Sequence, residues 1–233
     1  MYFKTFNFIY NKCMEKMAYI KKTLEKELSS SSHDLEHTMR VHNLALKIAS
    51  TIEGVDLEVL ELASLLHDIA RVKEDTDETN GIDHAILGAV MASGVLRTLG
   101  YSEELIKKVS HCIRTHRFRG NELPETIEAK ILSDADKLDA IGVVGVGRAF
   151  MIAGEYGEPL YKEFNLSEYG MNTLKNGKIK NFRDHSPNIE FEIKLRHIPE
   201  RLYTDEAKRI AEERVRVMED FFNRLEHEVR GEE

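Results

Sequence analysis

The sequence predicts an all-α fold, a bundle of helices without a sheet. Three observations lead there. Apolar residues return at helical spacing, as in Val41, Leu44, Ala45, Ile48 and Ile52, and again in Ala207, Ile210, Ala211, Val215, Met218 and Phe222. No stretch alternates apolar and polar residues convincingly enough for a strand. Helix punctuation falls where the stripes need it: Asp34 can cap one helix, Asp83 opens another, and Gly54 can close one.

Residues 14–29 have helical character and stop at the polar run Ser29 to Ser32. A helix over 34–53 follows, and its stripe puts His37 on the inward face, with His42 at the edge as a structural or solvent-facing group. The next helix, 56–70, is nearly all apolar through Leu62, Ala63, Leu65 and Leu66 and ends in His67-Asp68. Ala63 and Ser64 are small, which leaves room for close approach one turn before His67. Residues 71–82 are polar and read as a loop beside that end.

A helix over 83–99 shares one face among His84, Leu87, Gly88, Met91 and Val95. The helix over 102–117 lines up Leu105, Val109, Cys112, Ile113 and His116, which turns His116 inward and His111 outward. After Pro124, a helix to Asp139 aligns Ala129, Leu132, Asp136 and Asp139, while Asp134 points elsewhere as a solvent-facing or structural group. The three glycines of 140–148 lack the Gly-Lys-Ser/Thr ending of a phosphate loop and read as a tightly packed helix or turn. Residues 154–185 are irregular, either a lid over a pocket or surface loops, and two helices fill 188–229. The expected organisation is an N-terminal helical extension over 1–30, a core over 31–150, and a lid segment with C-terminal helices over 151–233 that complete the same domain.

Composition narrows the function. A chain of 233 residues with 42% hydrophobic residues supports one large core. A net charge of -8 without a long basic run argues against broad nucleic-acid binding and fits a small substrate. Two cysteines, Cys13 and Cys112, match neither a disulfide framework nor a zinc knuckle, which favours a reducing compartment. No run is long and apolar enough for a transmembrane helix, so no membrane is expected and the cytoplasm is the expected location.

The chemistry lies in the inward polar residues. His37, His67, Asp68, His84, His116 and Asp136 fall on otherwise apolar faces of five predicted helices. Burying imidazole and carboxylate groups without partners is expensive, and a divalent cation is a partner that accounts for all of them together. Asp136 is the best further carboxylate ligand, and Arg71, one turn after Asp68, could pair with a phosphate.

The order His37, His67-Asp68, Asp136 resembles the HD-domain superfamily of metal-dependent phosphohydrolases. The stretches His-Asp-Ile-Ala-Arg (67–71), His-Ala-Ile-Leu-Gly-Ala (84–89), Ile-Arg-Thr-His (113–116) and Asp-Ala-Asp-Lys-Leu-Asp-Ala-Ile-Gly (134–142) resemble its small single-domain bacterial and archaeal hydrolases. The resemblance implies an HD-domain helical bundle with His37, His67, Asp68 and Asp136 holding one metal. It also implies that His84 and His116 match the positions that hold a second ion in some HD families. HD nucleotidases acting on deoxynucleoside monophosphates carry Glu three residues after the Asp; Arg71 stands there, which favours a more highly charged phosphate.

The expected activity is therefore hydrolysis of a phosphate ester or anhydride, of a nucleotide above all. The ligand types suit Mn, Fe, Co, Ni or Zn better than Mg or Ca. Asp68 or Asp139 would accept the water proton, and Arg71, His84, His116 and Lys137 would offset phosphate charge. Two rivals use the same residues differently: a diiron HD-fold oxygenase, and a non-catalytic nucleotide-binding module.

Overall fold

The computed structural model describes residues 2–28, 35–79, 81–117, 122–172 and 179–232, without the side chains of residues 2–14, 167, 168 and 171. Most of the described residues are helical, and none of them lies in a strand. The expected cap at Asp34 and the break at Ser29 to Ser32 lie outside them. The chain forms two compact units, Met1–Ala135 and Asp136–Glu233.

The first unit holds α1 (Tyr2–Glu27), α2 (Leu35–Ala49), α3 (Leu57–Leu66), α4 (Arg71–Asp75), α5 (His84–Thr98), α6 (Glu103–Thr115) and most of α7 (Ile127–Asp139). Its centre is α3, which past its exposed first turn is apolar on nearly all sides, buries Val59, Leu60, Leu62, Ala63, Leu65 and Leu66, and packs against α2 and α6. A helix apolar all round belongs inside, and the others turn one stripe toward it: Val41, Ala45 and Ile48 from α2, Val109, Cys112 and Ile113 from α6, and Ile20 and Leu24 from α1.

Side chains fix the helix starts. Asp56 accepts from the Val59 amide at 3.3 Å, Asp83 from those of Ala85 at 2.9 Å and Ile86 at 3.3 Å, and Ser102 from Leu105 at 3.3 Å. Each such cap contributes about 1 kcal/mol. The small face of α5 is needed for close contact: a Cβ on Gly88 would stand 3.3 Å from the His67 carbonyl oxygen.

The first helix, expected from residue 14, begins at Tyr2, and two boundaries close to the inward histidines also differ from expectation. The helix expected to reach Glu53 ends at Ala49, and the one expected to reach residue 70 ends at Leu66. The last difference has a cause. His67 Nδ1 lies 2.8 Å from the Ser64 carbonyl, so the ring occupies an acceptor at the helix end. Residues 67–70 form a tight turn, and the expected loop after it begins as α4.

The second unit contains the end of α7, then α8 (Gly142–Tyr156), α9 (Leu166–Tyr169), α10 (Pro187–Ile193) and α11 (Asp205–Arg230), joined in part by short 3-10 turns. The glycine-rich stretch is the start of α8. Gly142 has φ +81°, and a Cβ on Gly145 would fall 2.4 Å from the Ala140 carbonyl oxygen, closer than any side chain tolerates. The stripe of α11 buries Ala207, Ile210, Ala211, Val215, Met218 and Phe222, as its spacing predicts, and Phe222 stacks on Phe191 with centroids 5.0 Å apart. None of the described helices is long and apolar enough to cross a membrane.

Candidate metal centre

Two helix ends and one helix start converge in the first unit. His67 follows the last residue of α3, and His116 follows the last residue of α6. Both do the same thing locally. His116 Nδ1 lies 2.6 Å from the Ile113 carbonyl, as His67 Nδ1 does from that of Ser64 at 2.8 Å. The unsatisfied carbonyls of a helix end are thus met by a ring three residues on. A carbonyl only accepts, so each Nδ1 carries the proton and each Nε2 keeps its lone pair. His84 opens α5, and its Nδ1 lies 2.5 Å from Glu74 Oε2, which leaves its Nε2 bare in the neutral ring. His37 comes from α2, 1% exposed.

The Nε2 atoms meet around Asp68. Asp68 Oδ2 lies 3.6 Å from His37 Nε2 and 3.8 Å from His67 Nε2. Asp68 Oδ1 lies 3.4 Å from His84 Nε2 and 3.6 Å from His116 Nε2. Within the pairs, His37 and His67 Nε2 are 3.4 Å apart, and His84 and His116 Nε2 are 3.3 Å apart. One carboxylate thus faces two histidine pairs, one oxygen to each.

This donor set fits a divalent cation. Lone pairs on His84 and His116 would repel each other across 3.3 Å unless a cation or a proton lies between them. Two ligand atoms, each about 2.1 Å from one ion at a tetrahedral angle, stand about 3.4 Å apart, and the separations here run from 3.3 to 3.8 Å. The partners at Nδ1 are those that orient metal-binding imidazoles, a carbonyl or a carboxylate. His67, Asp68 and His116 offer ligand atoms close enough to share an ion.

A ring of charges lies next to the cluster. Glu74 on α4 accepts from His84 and pairs with Arg117 Nη2 at 3.0 Å and Arg71 Nη1 at 3.3 Å. Burial works to raise the Glu74 pKa, but the His84 hydrogen bond and the two guanidinium charges outweigh it, and the carboxyl sits below its ordinary value. Arg71 also pairs with Asp75 at 3.1 Å, and Arg117 reaches Asp83 at 2.6 Å.

Of the sequence-predicted residues, His37, His67, Asp68, His84 and His116 are brought together, and Arg71 stands beside them through Glu74. Asp136, Lys137 and Asp139 belong to the second unit, on the last turn of α7. There Asp139 is 1% exposed and pairs with Arg148 at 2.9 Å, and Lys137 Nζ stands 5.6 Å from the Tyr203 ring centroid. Asp134 is 0% exposed, so of its two expected roles the solvent-facing one falls away. His42 is held at 2.9 Å by Ser64 Oγ, a structural contact. His111 accepts from the Glu125 amide at 3.1 Å and takes no part in the cluster.

Sequence reading missed Glu74 and Arg117. Glu74 lies in a stretch read as loop, and its partner His84 is ten residues away, outside any helical spacing. The one signal for Arg117 was its place next to His116.

Comparison with known proteins gives the family. The profile of the HD domain matches residues 34–141. YpgQ of Bacillus subtilis is 34% identical over 206 residues, 87% of each chain. The chain belongs to the HD-domain superfamily of hydrolases. Two solved structures extend the likeness. The crystal structure of Bacillus subtilis YpgQ in complex with ADP matches with a TM-score of 0.68 and 31% identity, covering 92% of this chain and 97% of that one. An HD-superfamily hydrolase of Bacillus thuringiensis matches with a TM-score of 0.68 and 29% identity, covering 95% and 98%. HD domains bind divalent metals, and the cluster here is one that could hold them.

Proposed function

We propose that this HD-domain protein is a divalent-metal-dependent phosphohydrolase that cleaves a phosphate ester or anhydride of a nucleotide. The observation that carries the reading is Asp68 between two histidine pairs, each with Nε2 atoms turned to one of its oxygens. His37, His67 and Asp68, with Asp136 from the family motif, are assigned to one ion. His84, His116 and the other oxygen of Asp68 are assigned to a second. Mixed nitrogen and oxygen donors select a transition ion such as Mn, Fe, Co, Ni or Zn over Mg or Ca. Such an ion, when bound, lowers the pKa of water and polarises a phosphoryl oxygen.

The residues divide the remaining work. With their Nδ1 protons committed, His84 and His116 have no Nε2 proton to donate to a phosphate, so a ligand role suits them better than substrate binding. Charge compensation then falls to Arg71, Lys137 and, beyond the sequence reading, Arg117. The Arg71 guanidinium is held in place by Glu74 and Asp75 while a quarter of its side chain stays exposed. Asp139 is the candidate proton acceptor, with Arg148 fixing its orientation.

The ADP complex of YpgQ supports a nucleotide, and the Arg in place of a family Glu supports a di- or triphosphate. A buried free thiol at Cys112 is consistent with the cytoplasm. The test is phosphate and pyrophosphate release from a panel of nucleotides with Mn added to metal-free protein. Release that disappears in Asp68→Ala supports the reading. Oxygen consumption without release, at two irons per chain, would transfer the site to the oxygenase class, and turnover of nothing alongside nucleotide-dependent stabilisation would make it a binding module.

A further inference from the structure

His84 differs from the other helix-end histidines in where it stands. His67 and His116 close helices, so each finds a carbonyl of its own helix three residues back. His84 opens a helix, and a helix start presents N–H groups, not carbonyls. Its Nδ1 proton needs an acceptor from another element, and Glu74 on α4 supplies it at 2.5 Å. Glu74 is itself tied at both oxygens: Oε1 takes Arg117 at 3.0 Å, and Oε2 takes Arg71 at 3.3 Å besides His84. Arg117 in turn reaches Asp83, the residue that caps α5 directly before His84. A carboxylate with three donors has one orientation, and that orientation sets the ring.

We propose that Glu74 is the positioning residue of the second ion: it fixes the His84 tautomer and aims Nε2 at Asp68 and His116. Arg71 and Arg117 hold Glu74 in place. The inference rests on the two-ion reading above. It predicts a division of labour in which loss of Glu74 acts on one ion only.

The experiment is Mn(II) uptake by the full chain, measured by calorimetry and by metal analysis, in wild type, Glu74→Gln, Glu74→Ala, His116→Ala and Glu74→Ala/His116→Ala, with folding checked by circular dichroism. Wild type takes up two ions. Glu74→Gln keeps the size of the side chain, so it reads the effect even if Glu74→Ala does not fold. Each Glu74 variant keeps one ion with unchanged affinity and binds the other about 10- to 100-fold more weakly. The double variant loses no more uptake than His116→Ala, because Glu74 acts through that site. Two ions at wild-type affinity in the Glu74 variants, whatever their melting temperature, would overturn the role of Glu74 and leave the two-ion reading standing. Fewer than two ions in the wild type would overturn that reading, and this inference with it.

Discussion

Two buried histidine environments occupy the two units, and they are built on opposite principles. In the second unit His185, 4% exposed, has a complementary partner for each nitrogen: the Tyr169 hydroxyl lies 2.5 Å from Nδ1, and Glu190 Oε2 lies 3.3 Å from Nε2. In the first unit His84 and His116 turn the same kind of atom toward each other across 3.3 Å, with Asp68 adding more acceptors. A satisfied core histidine pairs donor with acceptor; a ligand cluster crowds acceptors and leaves the cation to complete it. By this criterion the Tyr169–His185–Glu190 chain fits a structural role, and the Asp68 cluster fits the ligand role proposed for it.

The largest expected effect comes from the group shared by both pairs. Asp68→Ala removes ligands from both ions, so uptake of both is lost and kcat/KM falls by at least about 10³-fold, roughly 4 kcal/mol of transition-state stabilisation. Steady-state phosphate release and metal analysis check this together. A variant with full activity and metal content would erase the contrast between the two environments.

Chelation separates them next. If bound ions satisfy the first cluster, their removal destabilises the protein by about 3 kcal/mol when the ion is present at about 100 times its Kd. For a chain of this size that lowers Tm by roughly 5–10 °C. Calorimetry with and without a chelator reads the shift, and an unchanged Tm contradicts it.

His185→Ala is the converse. It leaves the Tyr169 hydroxyl and Glu190 without their partner, at a cost of about 1–3 kcal/mol, and metal uptake stays at the wild-type level. Loss of metal in this variant would end the distinction drawn above.

The smallest effect is a pH dependence confined to the second unit. Burial works to raise the Glu190 pKa, but the Lys194 charge and the His185 hydrogen bond outweigh it and hold the carboxyl well below its ordinary value. A carboxyl with a depressed folded-state pKa contributes stability above its unfolded value, near 4.3, and that contribution is lost as pH falls toward the folded value. Glu190→Gln is therefore less stable than wild type at pH 7, and the gap closes below about pH 4. Urea midpoints across that range measure it; a gap that stays constant would contradict the assignment.

Much of the centre was legible from periodicity. Stripes of apolar residues placed His37 and His116 inward and turned His111 away, and the structure agrees, because a 3.6-residue period carries side-chain direction whether or not the partner helix is known. The all-α class followed from the same signal. Helix ends were less legible. His67 stops α3 by bonding the Ser64 carbonyl, a local contact that apolar spacing does not report. Glu74 was not legible and Arg117 only by its place next to His116, because their partners stand on other elements and surface-like polar spacing looks the same for a salt bridge and for a support to a ligand. The glycines of 140–148 announced close packing, yet only the fold shows that Gly145 faces the Ala140 carbonyl.

The central claim is that cations lie between Asp68 and the two histidine pairs. The direct measurement is anomalous diffraction at the metal edge from crystals of protein loaded with Mn(II). The account predicts two peaks, one on the Oδ2 side within bonding distance of His37 and His67, the other on the Oδ1 side within bonding distance of His84 and His116. A map with no peak near Asp68, in protein shown to be folded and exposed to the metal, would contradict it and leave these histidines as a buried polar network of the core.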